Sequence, residues 1–159
     1  MKTTAYRIAE LLCAAALIGF ILFAAAAHTG GTQKTAKELE ASFADALTAG
    51  GMARQTRRAA EDRFGLPPEK TAGVVYYANE SVMDVSELLI VLVQDPAETA
   101  GIRQSILAHI EEQKALYRSY APAQYALLEN SVVAVSGNAV FYCTAENADE
   151  LHDRFDRSL

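Results

Sequence analysis

The chain has no tryptophan and only two cysteines, three histidines and four prolines in 159 residues. Two cysteines exclude a disulfide framework, and only Cys143 lies beyond the first 27 residues, so the remainder holds no internal disulfide. Its stability must come from a buried core. Four prolines and nine glycines exclude collagen-like and low-complexity classes. The sequence has no basic tail and a net charge of −6, which argues against a nucleic-acid partner. Phosphate-binding glycine loops, GxSxG elbows, HExxH pairs and CxxC pairs are missing too, so no motif names a reaction, and no cofactor or metal is expected.

What is present divides unevenly. Hydrophobic residues make up 51% of the chain, and 21 of them lie between Met1 and Ala27. Beyond position 27 there are 12 basic and 19 acidic residues, a net charge of −7. The run Leu11 to Ala27 carries no charged or strongly polar side chain. As a helix it spans about 25 Å, against about 30 Å of hydrocarbon, and Ile8 and Ala9 extend it across Glu10. Lys2 and Arg7 precede the run, so the positive-inside bias orients a single-pass membrane helix over residues 8–27 with everything after it outside the cell. The small residues Ala24 to Ala27 suit the alternative, signal-peptide cleavage and secretion; the length of the run favours the anchor. Cys13 is not a lipidation signal, because Leu12 precedes it and the apolar run follows it. The expected organisation is an anchor or signal peptide over residues 1–27, a flexible tether over 28–34 and an extracytoplasmic domain over 35–159.

Within that domain, Thr35 to Glu38 has the form of a capping box. Leu39, Phe43 and Leu47 then recur on one face of a helix that Gly50-Gly51 stops. A second helix is expected from about Ala53 to Phe64, closed by Gly65. Two strands follow, Gly73 to Ala78 and Glu87 to Val93, the second apolar throughout after its glutamate. Asp95-Pro96 opens the longest helix of the domain, with Ile102, Ile106, Ile110 and Tyr117 on its inner face. A helical turn over Pro122 to Leu128 leads to a hairpin, Val132 to Val135 and Ala139 to Thr144, around Gly137-Asn138. A final helix runs from about Ala148 to Arg157. This order predicts an α+β fold: a mainly antiparallel four-stranded sheet of two hairpins, packed with helices and preceded by the membrane helix. The Ile102 helix and the C-terminal helix are expected on one face, and the N-terminal helices on part of the other.

Phe64-Gly65-Leu66, Val74 to Tyr77 and Met83 to Glu87 running into an apolar strand form one ordered set. It continues through Gln113 to Tyr120, Ala121-Pro122-Ala123-Gln124-Tyr125 and the Gly137-Asn138 hairpin. Taken together, over about Leu39 to Phe155, they resemble the family of domain of unknown function 4358. The resemblance implies an exported protein of clostridia-like Gram-positive bacteria, carrying a signal peptide, lipoprotein signal or membrane anchor. It implies no activity and no catalytic residues. The chain departs from the family pattern at Ala139, where an aromatic residue commonly follows the asparagine, and in its arginine-rich second helix.

Candidate functional residues are few. Arg54, Arg57, Arg58 and Arg63 form the one basic concentration, suited to anionic headgroups or envelope polyanions. Arg57 with Glu61 and Arg58 with Asp62 also stand at i,i+4, the spacing of internal ion pairs. Tyr120 and Tyr125 flank Pro122 as a recognition surface or as one wall of a pocket. Tyr117 continues the isoleucine stripe and reads as core. His109 borders that stripe and reads as structural. Glu87 marks the entry to the apolar strand, paired to an arginine or exposed at the strand end. His152 with Asp149, Asp153 and Asp156 could face one ion, but all lie on one helix, which reads as a solvated face. Cys143 reads as a buried, inert thiol. The expected function is a membrane-anchored extracytoplasmic interaction module without catalytic activity, partnered by an envelope protein. A small-ligand-binding domain is the alternative, and a metal-dependent enzyme the third reading.

Overall fold

The computed structural model describes residues 35–159. The expected anchor and tether, together with Cys13 and His28, lie outside the described residues. Among the described residues no helix is long and apolar enough to cross a membrane.

Five antiparallel strands form one sheet in the order β1-β2-β3-β5-β4. The strands are β1 (Met52–Arg54), β2 (Thr71–Asn79), β3 (Glu87–Val93), β4 (Val132–Ser136) and β5 (Ala139–Thr144). The helices are α1 (Ala36–Ala41), α2 (Ala44–Ala49), α3 (Arg57–Phe64), α4 (Thr99–Tyr117), α5 (Pro122–Glu129) and α6 (Ala148–Ser158), with 3-10 turns at Pro68–Lys70 and Pro96–Glu98. The expected α+β class and antiparallel sheet are therefore present, but with five strands instead of four. The extra strand is β1, where Met52 pairs with Asn79 and Arg54 with Tyr77. Gln55 extends the ladder with its N–H on the Tyr76 carbonyl at 2.8 Å. The second helix consequently starts at Arg57 and not at Ala53. Thr56 is its N-cap, accepting from the Ala59 N–H, and Gly65 ends it at φ 62°, a conformation that favours glycine.

The first expected helix is two. The capping box at Thr35 and Glu38 forms as read. The Ser42 N–H then bonds the Leu39 carbonyl, its hydroxyl bonds the Glu38 carbonyl and the Phe43 N–H bonds the Glu40 carbonyl, which tightens the chain between α1 and α2. The stripe survives the break: Leu39, Phe43 and Leu47 are all fully buried. Asp95 caps as expected, accepting from the Ala97 N–H at 2.9 Å, but it caps a 3-10 turn that precedes α4.

The helices sort onto the sheet differently from the expectation. Helices α1, α2 and α6 share one face with Val75, Leu88, Ile90, Phe141 and Cys143. Helices α3 and α4 share the other with Tyr76, Leu89, Val91, Val140 and Tyr142. The C-terminal helix thus lies opposite the Ile102 helix. Strand alternation is the reason: Phe141 points to the first face, and Phe155 of α6 stacks on it with ring centroids 5.0 Å apart. At Gly73 a Cβ would come within 2.8 Å of the Ala36 Cβ, so glycine permits the close approach of α1 to β2. A smaller cluster of Val85, Tyr117 and Leu128 closes the seam between α4, α5 and the loop before β3.

Candidate functional site

β3 is buried along its whole length, and it begins with a carboxylate. Side chains of a strand alternate, so Glu87 shares its face with Leu89 and Val91. Tyr76 of β2 and Tyr142 of β5 are both in register with Leu89. Each lies diagonally across from Glu87, within reach of a tyrosine. Helix α4 brings His109 down from above, and α3 brings Arg63 from the side. Glu87 Oε1 takes hydrogen bonds from His109 Nε2 at 2.7 Å and the Tyr142 hydroxyl at 2.9 Å. Oε2 takes them from Arg63 Nε at 2.9 Å and the Tyr76 hydroxyl at 3.0 Å. An ionised carboxylate only accepts, and these four donors fill its lone-pair sites. The chain extends outward, since Thr144 Oγ1 donates to the Tyr142 hydroxyl at 2.8 Å and lies 2.6 Å from Ser131 Oγ. Phe64 covers the group with its ring 4.5 Å from His109, 5.4 Å from Tyr76 and 5.7 Å from Tyr142.

The electrostatics favour a fixed charge. Burial pushes the Glu87 carboxyl up, but the hydrogen bond and charge of His109, then the charge of Arg63, outweigh it and hold it below the ordinary value. Burial, reinforced by the glutamate charge, pushes both the Tyr76 and Tyr142 hydroxyls up, so they stay protonated donors. Cys143 points to the opposite face, and burial pushes its thiol up to about 12.

One flank of this network opens to solvent. A cleft of about 610 Å³ lies beside it, lined by Arg63, Tyr76, Glu87, Gln113, Tyr117 and the loop Glu80 to Ser86. Its volume falls in the range of small-molecule sites. His109, Gln113 and Tyr117 are spaced four residues apart on α4, so one helix face supplies both the network and the cleft wall. The loop is held firmly: Asp84 accepts from Asn79 Nδ2 and the Ser86 N–H, each at 2.8 Å, and the Val85 N–H bonds Gln124 Oε1 at 2.8 Å. The Tyr117 hydroxyl closes the far side on the Val82 carbonyl at 2.8 Å. A second cleft of about 640 Å³ lies by Asp45, Glu150 and Arg154, whose charges pair with one another at its rim.

The four arginines are placed separately. Arg54 pairs with Glu40, which also accepts from the Tyr77 hydroxyl at 2.8 Å. Arg57 pairs with Glu61 at 2.7 Å and reaches the Pro68 and Thr71 carbonyls, each at 3.1 Å. Arg58 and Asp62 stand 3.7 Å apart with both side chains largely exposed. Arg63 is the arginine on Glu87. Tyr120 is exposed, with its ring 5.3 Å from Tyr117, and Tyr125 is half-buried under the Arg118 guanidinium. The tyrosines lining the cleft are Tyr76 and Tyr117; neither Tyr120 nor Tyr125 lines it. His152 has Asp156 of its own helix at 3.7 Å, and among the described residues no three His, Cys, Asp or Glu side chains are grouped to hold a metal ion. The five-membered network around Glu87 was not read from sequence beyond the arginine partner. Its one visible sign was a glutamate heading a strand with no other polar residue.

No curated protein and no solved structure shows a significant match to the chain. A family profile described as domain of unknown function (DUF4358) matches residues 45–145, which include the whole Glu87 network and its cleft. That match spans more than half of the sequence, and the chain belongs to this family.

Proposed function

We propose that the protein is a non-catalytic binding module, held at the outer face of the cell membrane by its apolar leader, which recognises an envelope component through the cleft beside Arg63. The observation that carries this reading is the cleft itself. It is concave, polar at its floor and walled by a loop whose backbone is tied on both sides, so recognition costs little ordering. Val82 lines it and is 88% exposed, giving the polar floor an apolar lip. A binding role is favoured over catalysis because the groups with acid, base or nucleophilic character are already engaged. Glu87 has its lone pairs filled, and Cys143 is a neutral thiol on the other face of the sheet.

A photo-crosslinking side chain at Gln113, in the full chain in intact cells, tests the reading. The expected product is one discrete envelope component, obtained at position 113 and not from a crosslinker at the exposed Arg103 on the same helix. Identical products from both positions, or products only from the cytoplasmic side, would overturn it.

A further inference from the structure

The charges around the cleft narrow the ligand. Four charged side chains line it: Arg63, Glu80, Asp84 and Glu87. They differ in how much of each is already engaged. Glu87 is closed by its four donors. Asp84 accepts two hydrogen bonds, one on each oxygen. Glu80 is exposed at the rim, and the Gln113 side chain makes no hydrogen bond among the described residues. Arg63 donates to the Glu87 carboxylate through Nε and interacts with the Tyr76 hydroxyl, yet 41% of its side chain remains exposed. A guanidinium has five donors in a fixed fork, so anchoring Nε aims the Nη end and leaves it able to grip a second carboxylate. The Arg63 and Glu87 charges offset one another, which leaves the rim negative through Glu80 and Asp84. A phosphate or other dianion would meet those two carboxylates. A simple amine would leave the aimed guanidinium unused.

Resting on the reading of this cleft as the binding surface, we infer that it takes a short zwitterionic ligand of peptide type. The ligand carboxylate sits on the Arg63 fork beside the Gln113 amide, and its ammonium group faces Asp84 and Glu80. Both ends are single charges, matching the one guanidinium and the acidic loop that line the cleft. The apolar lip at Val82 and the ring of Tyr117 suit small side chains between them.

Calorimetric titration of the full chain in detergent micelles with four probes tests this: trialanine, trialanine amide, N-acetyl-trialanine and inorganic phosphate. Trialanine is expected to give saturable heat and to shift the Gln113 side-chain amide resonance. Removing either terminal charge is expected to weaken binding about tenfold, the loss of one charge-assisted hydrogen bond. Phosphate is expected to give no saturable heat. Gln113→Ala, on a partly exposed helix position, should weaken trialanine binding with an unchanged melting temperature, and Arg63→Lys should retain the partner of Glu87 while losing the fork and most of the affinity. Equal affinity for trialanine and its amide, saturable phosphate binding, or no saturable trialanine heat at millimolar concentration would each overturn the inference. If the crosslinker at position 113 still captures its envelope component, the cleft reading stands and the zwitterion alone falls.

Discussion

The two faces of the sheet are built from the same strands and solve burial differently. The face under α1, α2 and α6 is almost wholly apolar: Leu88, Ile90, Phe141 and Phe155 pack with Leu39, Phe43 and Leu47, and its heteroatoms are the Met52 thioether, the neutral Cys143 thiol and the Tyr77 hydroxyl, which donates to Glu40. The face under α3 and α4 is as deeply buried at Leu89, Val91 and Ile106, yet one end holds a carboxylate, an imidazole, a guanidinium and two phenols. An apolar face is stabilised by area and shape, which need no directional partner. A buried ionic network is stabilised only when every lone pair is met, and then it specifies geometry more than it adds stability. The difference places chemistry on one side of a two-residue alternation. Tyr142 and Phe141 are neighbours in sequence and belong to different regimes.

The largest expected effects come from removing one deeply buried side chain from each face. Phe155→Ala should cost about 3–5 kcal/mol by leaving a cavity against Phe141. Glu87→Ala should cost a similar amount, about 3–5 kcal/mol, by leaving Arg63, His109 and two tyrosines without their acceptor. Urea unfolding followed by circular dichroism measures both; a Glu87→Ala cost below 1 kcal/mol would show that the network is not closed as described.

Acid sharpens the contrast further. Because the folded Glu87 titrates below the ordinary value of 4.5, the native state binds fewer protons than the unfolded chain. Its contribution is fully present above pH 4.5 and is lost as pH falls through the folded value. Glu87→Gln should therefore show a shallower fall of stability in acid than the wild type, whereas Phe155→Leu should keep the wild-type slope. Glu40, which its hydrogen bond from Arg54 holds low against burial, leaves a residual slope in both. Parallel acid curves for wild type and Glu87→Gln would count against an ionised, stabilising Glu87. The smallest effect belongs to the surface pair. Arg58→Ala removes an ion pair between two exposed side chains and should change stability by less than about 0.5 kcal/mol, at low and high salt alike.

Local features of the fold were legible in the sequence. The Thr35 capping box, the helix stop at Gly65, the Gly137-Asn138 hairpin and the Arg57–Glu61 and Arg58–Asp62 pairs all involve residues within four positions of each other. β1 was not legible, because three residues carry too little alternation to be seen, and β1 exists only because the edge of β2 offers it a ladder. The candidate site was half legible. An arginine partner was one of two readings of Glu87, the other an exposed strand end, and the structure takes the first. His109, Tyr76 and Tyr142 stand 22, 11 and 55 residues away, and periodicity carries no information at that range.

By itself the sequence determined which residues must be buried, because the stripes on the helices and the apolar run of β3 are properties of 3.6- and two-residue periods. It also set an acidic stretch beyond position 27 apart from an apolar N-terminal run. Tertiary structure alone decided which sheet face each stripe took, and so which partners met Glu87. A helix stripe of leucines or isoleucines fits either face of an antiparallel sheet. Only the register of β2, β3 and β5 put two tyrosines on the side of the glutamate, and only α3 and α4 lying there could complete its hydrogen bonds.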